Sequence, residues 1–281
     1  MKFGLLVVEG PHDVAFVGRL LHPYGLTQVE RKSDLSNEWF GLIPDKFPHG
    51  DNLVGPVPIP QFFQSGTHSI AVQRATGDSQ LVSRLNMSFA VFQSERQSLT
   101  GLGLLCDSDR KQPQARLTDI RKKLQGLELP AFPANPGEVS TKSTPRTGSF
   151  VLPDNQSCGR LEDLLLEAAE HSYPLLRDEA GEFVRKIHDH VSSTAKPTHP
   201  FTAEDLEEFN KPAGRQKATL GAMACILKPG KAIQNSLRDN RWLEGAALAQ
   251  PRIRLLMQFL SLLFELPQPT SEVDRSTSDS A

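Results

Sequence analysis

Two apolar runs in this chain stop abruptly at carboxylates. Leu5-Leu6-Val7-Val8 runs into Glu9, and Leu102 to Cys106 runs into Asp107-Ser108-Asp109. A short, wholly apolar run ending in polar residues reads as a strand buried on both faces. Helical spacing follows each strand. Pro11 opens a helix with Val14, Val17, Leu20 and Leu21 on one side, and a basic helix is predicted over Gln112–Gln125. A further strand is expected at His68–Gln73, with a helix over Ser79–Phe92, and another strand at Ser149–Leu152. The alternation predicts an α/β fold with a mainly parallel sheet flanked by helices.

Two stretches break the pattern. From Lys32 to Gly66 proline is frequent and no helical period survives, which predicts an irregular insertion packed through Trp39, Phe40, Phe47, Phe62 and Phe63. A mobile Pro/Ser/Thr/Gly stretch is expected over Asn135–Gly148. Beyond Gly159 the pattern turns helical: a helix from Gly159, then Ala180–Val191, one after Thr202 capped by Asp205, Arg215–Leu227 and Arg252–Leu266. The last of these is broken by Gln258 and Glu265 and falls short of the roughly 20 apolar residues of a membrane span, so a docked helix is expected. Residues 267–281 have almost nothing to bury and are expected to be disordered.

Composition narrows the setting. The net charge of −2 gives no overall field for nucleic acid, so such a surface must be local. Cys106, Cys158 and Cys225 are isolated, which disfavours a zinc site or a disulfide framework and fits a reducing cytoplasm. No phosphate-binding G-x-x-x-x-G-K-[ST] loop is present. Open α/β sheets bind ligands at the C-terminal ends of their strands, and clustered carboxylates there suit Mg²⁺ or Mn²⁺.

A strand ending in Glu9-Gly10 with Asp13 four residues after the glutamate, then a strand ending in Asp107-Ser108-Asp109, resembles the Toprim domain. Leu161-Glu162-Asp163-Leu164 adds a third acidic element, which makes the chain similar to the OLD nucleases and to small stand-alone bacterial Toprim proteins of unassigned function. The resemblance covers roughly Phe3 to Glu167. It implies a Toprim-like catalytic domain over residues 1–167, a helical region over 168–266 and a tail from 267. It also implies roles: Glu9 as metal ligand or general acid/base, Asp13, Asp107 and Asp109 as metal ligands, and Glu162 with Asp163 at a second metal position. Two ions, Mg²⁺ or Mn²⁺, would serve phosphodiester cleavage. Lys217 stands as a catalytic cation, and Arg110, Lys111, Arg215 and Lys217 as contacts to a nucleic-acid backbone. From Asp205 to Arg254, nine basic residues oppose five acids.

The expected function is a metal-dependent nuclease on DNA or RNA, with anti-phage defence implied by resemblance. The OLD proteins carry an ATPase on the same chain and this sequence does not, so a separate ATPase or sensor is an expected partner, and a homodimer is another. The alternative is a non-catalytic Mg²⁺-binding module that recruits nucleotide or nucleic acid for a partner. A role as a helix-start acid is the alternative reading of Asp13, Glu162 and Asp163.

Overall fold

The computed structural model describes residues 1–44, 59–94, 98–192, 201–202 and 204–269. The chain divides into two compact units: residues up to Gly159 together with those from Arg254 onward, and Arg160–Ile253 between them. The boundary therefore falls at Gly159/Arg160 rather than near 167, and the last helix rejoins the first unit.

The first unit is a seven-stranded sheet flanked by helices. Its strands are β1 (Lys2–Val8), β2 (Thr27–Gln28), β3 (Gln61–Gln64), β4 (His68–Arg74), β5 (Gly101–Asp107), β6 (Val139–Ser140) and β7 (Arg146–Leu152), in the order β2-β3-β4-β1-β5-β7-β6. The central four, β4-β1-β5-β7, are all parallel, and β3 and β6 run antiparallel to them. Strands of this kind are apolar almost throughout because helices cover both faces. In β1 every residue after Lys2 is buried.

Alternation along the strands assigns the faces. Phe3, Leu5, Val7, Leu102, Leu104 and Cys106 share one core with α2 (Leu81–Ser94) and Ile120 of α3 (Pro113–Leu124). The opposite face carries Gly4, Gly101, Gly103 and Gly148. Here α9 (Pro251–Phe264) comes so close that a Cβ on Gly4 would lie 2.4 Å from Phe264 Cδ1, and one on Gly101 would lie 2.3 Å from the Leu263 carbonyl oxygen. Glycine inside a strand often marks such an approach. The docked C-terminal helix is thus present, and no described helix is long and apolar enough to cross a membrane. Its far end is pinned by Glu265, whose carboxylate meets Lys2 at 2.5 Å and Arg146 at 2.7 Å, while its carbonyl contacts His68 Nε2 at 3.0 Å.

Several sequence expectations need correction. The Lys32–Gly66 segment is not irregular throughout: 3₁₀ turns at Lys32–Asp34 and Asn37–Leu42 lead to β3, which pairs with β4. Trp39 is fully buried and donates from Nε1 to Ser69 Oγ at 2.8 Å, while Phe47 lies outside the described residues. The Asn135–Gly148 stretch contains β6 and the start of β7, which begins at Arg146 rather than Ser149. Gly148 hides that start from a propensity reading, yet it is where Phe259 packs, with Cε2 2.8 Å from a would-be Cβ.

The second unit is helical: α4 (Leu161–Ser172), α5 (Pro174–Ser192), α6 (Glu207–Asn210), α7 (Gly214–Leu227) and α8 (Ile233–Asp239). The helix expected at Ala180 starts at Pro174, and that expected after Thr202 is a single turn from Glu207. Central α7 packs against α4, α5, α6 and α8. Leu220, Met223, Leu237 and Trp242 are buried, and Trp242 donates to Ser236 Oγ at 2.9 Å. Of the expected tail, residues 270–281 lie outside the described residues.

Candidate functional site

From β1 the chain passes through α1 to β2 at the edge of the sheet and returns through β3 to β4 beside β1; α2 then carries it to β5 on the other side of β1. The strands β4 and β5 thus flank β1 on either side, and the C-terminal ends of such strands are the usual ligand position in an open α/β sheet. Val8 pairs with Leu105, so Glu9 and Asp107 leave neighbouring strands side by side. The two are in direct contact: the Asp107 amide donates to Glu9 Oε1 at 3.1 Å.

The residue that organises this edge is Arg116, on α3. Its Nη2 donates to Glu9 Oε1 at 2.9 Å and also to Asp78 Oδ1, and its Nε donates to the Asp107 carbonyl at 3.0 Å. The Arg116 side chain is only 6% exposed and that of Glu9 18%, so the pair sits away from bulk water. Asp78 follows β4 and is half-exposed. Gly77 swings it into place at φ 96°, a conformation that favours glycine, and donates its amide to the Glu9 carbonyl at 3.3 Å.

Burial pushes the Glu9 carboxyl pKa up, against the opposing pull of Arg116 and the Asp107 amide. Asp78 is held below its ordinary value, chiefly by its hydrogen bond from Arg116. Burial works against the Arg116 charge, but Asp78, together with Glu9 and the other negative charges around it, outweighs it, and the guanidinium stays cationic. Behind the site, burial drives the Cys106 thiol far up, which makes it a packing residue.

The Asp-Ser-Asp turn is fixed by its middle residue. Ser108 is buried; its Oγ accepts from the Gly159 amide at 2.7 Å and lies 3.2 Å from the Ser157 carbonyl. Asp109 adopts φ 55°, which aspartate tolerates better than most residues, and donates its amide to the Gly159 carbonyl at 2.9 Å. The loop that receives these bonds is held by Asp154, whose Oδ1 accepts from the Ser157 amide at 2.6 Å. Each of the four parallel strands therefore ends in an acid or is followed within four residues by one: Asp78, Glu9, Asp107 and Asp154.

The remaining expected ligands are placed differently. Asp13 is buried in the first turn of α1 (Pro11–Leu21), where Oδ2 accepts from the Gly10 amide at 2.8 Å. Asp163 repeats the device at the start of α4: Oδ2 accepts from the Arg160 amide at 2.7 Å, and Oδ1 accepts from Gln216 Nε2. Both are helix-start acids satisfying otherwise unpaired amides. Glu162 is buried and faces Lys217 Nζ at 3.9 Å, so the expected catalytic lysine meets one expected ligand within the second unit. Arg110 and Lys111 are exposed, and Lys111 pairs with Asp119 at 2.7 Å. Among the described residues no group of three His, Cys, Asp or Glu side chains is arranged to hold a metal ion.

The sequence reading missed Arg116 and Asp78. The basic character of α3 is plain in the sequence, but which of its cations turns inward is a tertiary fact. Asp78 carries a local signal, a Gly-Asp pair just beyond a strand.

The profile of a family described as "Protein of unknown function (DUF3226)" matches residues 4–265. The chain belongs to DUF3226. The matched span of DUF3226 takes in Glu9, Asp78, Asp107 and Arg116. A crystal structure of hypothetical protein PH0156 from Pyrococcus horikoshii OT3 is similar at 17% identity and a TM-score of 0.47, over 94% of this chain and 95% of that one. Comparison with curated proteins finds no match.

Proposed function

We propose that the first unit is a divalent-metal-dependent phosphodiesterase acting on nucleic acid, with its site at the Glu9–Asp107 edge of the sheet. The observation that carries this reading is the meeting of two acidic residues at the ends of adjacent parallel strands, where the Asp107 amide and Arg116 lock Glu9 in orientation. Both bonds to Glu9 fall on Oε1, which leaves Oε2 for a ligand. Mg²⁺ commonly takes one or two carboxylates and fills its shell with water and substrate phosphate, so Glu9 and Asp107 suffice for one ion. Asp109, exposed on the same turn, would extend the set. The resemblance of these motifs to Toprim nucleases supports the same chemistry. A two-ion centre is not part of the proposal, because Asp163 has both oxygens engaged and Asp13 serves its own helix start.

The bound ion would supply Lewis-acid stabilisation of charge at the scissile phosphate. Glu9 would hold that ion through Oε2, its carboxyl pushed up by burial against the pull of Arg116. Arg116 holds Oε1, so the carboxylate cannot rotate away, and its permanent charge opposes the upward push of burial on the Glu9 carboxyl. Lys111 and Arg110, directly after the turn, meet the phosphate from the solvent side.

One observation favours a reading without turnover. Arg116 already offsets one of the two charges of Glu9 and Asp78, so the fold itself supplies part of the positive charge that a metal would bring. A cleavage assay separates the two readings. Plasmid, linear duplex, single-stranded DNA and tRNA are offered with Mg²⁺, with Mn²⁺ and with chelator, to wild type, Glu9→Gln and Asp107→Ala. Metal-dependent cleavage lost in both variants, with melting curves unchanged, supports the enzyme. Wild type that cleaves nothing with either ion, or an Asp107→Ala protein that cleaves as well as wild type, refutes it.

A further inference from the structure

We propose that α3 and the turn before it form a track for the sugar–phosphate backbone of a polynucleotide, held by Lys111, Arg121, Lys122 and Lys123; this rests on the phosphodiesterase reading and adds the substrate path. From Arg110 to Leu124 there are six basic residues and a single acid, Asp119, in a chain whose net charge is −2. Arg116 is the one turned inward to Glu9 and Asp78. Arg110, Lys111, Arg121, Lys122 and Lys123 are all exposed.

The placement of these cations follows the site. Lys111 precedes the first turn of α3 and Lys123 lies in its last turn, so exposed cations stand at both ends of the helix that carries Arg116. Arg116 and Lys123 are seven residues apart and share a side of the helix. At about 1.5 Å per residue they are roughly 10 Å apart along the axis. That distance spans about three phosphates of one duplex strand at 3.4 Å each.

A helix needs no ligand to favour lysines in its last turn, because its C-terminal end is electronegative. The same field opposes Arg110 and Lys111, which precede the N-terminal end of α3. Cations at both ends therefore point to an external anion rather than to the helix dipole. Lys111 is paired with Asp119, but that ion pair is exposed, with side chains 59% and 40% accessible, and yields readily to a phosphate.

The test measures binding of the full chain to labelled single-stranded DNA, its duplex and RNA of the same sequence, by fluorescence anisotropy in chelator across a salt series. Lys111→Gln, Lys122→Gln/Lys123→Gln and the triple variant are compared with wild type. Glutamine keeps helix propensity, so folding is retained and a melting curve confirms it. The expected result is a salt slope lower by roughly 1 for each lysine replaced, with weaker binding of every sequence alike. An unchanged slope in the triple variant overturns the track, as does a wild type that binds phosphatidylserine vesicles but no nucleic acid. A wild type that binds with this lysine-dependent slope yet never cleaves leaves the track standing and sinks the phosphodiesterase. One that cleaves while the slopes coincide does the reverse.

Discussion

Replacing Arg116 by methionine tests the electrostatic account of the site most directly. Methionine keeps most of the apolar stem, so the change removes mainly the charge and its three donated bonds. The Asp78 partner is half-exposed, and its pairing is worth under about 1 kcal/mol. Glu9 is the expensive orphan, since breaking a buried pair from one side costs roughly 3–5 kcal/mol. The total expected loss is therefore about 3–5 kcal/mol. Replacing both residues, Arg116→Met with Glu9→Gln, removes the uncompensated charge and restores much of it.

The pH dependence supplies the sign. The folded pKa of Glu9 lies above its ordinary value, so its protonated form is favoured by the fold. Its contribution is most favourable below the unfolded pKa and is lost as pH rises through the folded one. Loss of Arg116 removes the largest influence that lowers this pKa, so the folded value climbs further. The penalty of Arg116→Met is then greatest at neutral pH and shrinks as pH falls toward the ordinary glutamate value. Asp78 does not confuse the window, because its lowered pKa puts its own titration below the ordinary aspartate value. The assay is urea unfolding followed by tryptophan fluorescence. The chain has two tryptophans, one per unit, so a Trp242→Phe background leaves Trp39 to report on the first unit. A penalty that stays flat with pH, or a double variant as unstable as Arg116→Met alone, refutes the reasoning.

Three other outcomes are expected. Gly101→Ala drives a methyl into the Leu263 carbonyl and destabilises the first unit by at least ~1–3 kcal/mol, read from the shift of its urea midpoint. Asp163→Ala removes a helix-start acceptor and costs about 1 kcal/mol in the second unit, read from Trp242 fluorescence; no loss would return Asp163 to the ligand candidates. With Cys106 buried and Cys158 and Cys225 exposed, a thiol reagent should label two cysteines quickly in the native chain and the third only on unfolding.

The sheet was legible because its parallel strands are buried on both faces, so each announces itself as an apolar run with a polar stop. What escaped were the elements whose existence depends on a partner. Strand β3 lies in a proline-bearing stretch and becomes a strand because β4 offers it an edge. The start of β7 contains Gly148, which lowers strand propensity but admits Phe259 of a helix more than 100 residues later in the chain. Local propensity records the cost of such a glycine and is blind to the contact that offsets it.

The acids show the same division at the level of chemistry. Glu9 and Asp107 were legible as neighbours because strand ends deliver side chains to one edge. Asp13 and Asp163 looked like members of the same set, yet each stands three residues after the residue whose amide it accepts, the spacing that closes a helix start. That spacing is written in the sequence and by itself distinguishes the two kinds of acid. The inference from clustered carboxylates to a metal fails at a different point, because repulsion among acids demands positive charge without specifying its source. Here α3 brings Arg116 beneath the edge and meets part of the demand from within the fold. A metal at this site is therefore argued from Glu9 Oε2 and Asp107 as ligands rather than from charge repulsion alone, and it would join a cation already in place. Ion binding should then be weak in the free protein and strengthen when a substrate phosphate supplies the missing oxygens. Calorimetric titration of Mg²⁺ into the Asp107→Asn variant and wild type, each with and without a non-cleavable phosphorothioate strand, measures that coupling. Tight metal binding to the free wild-type chain would contradict it.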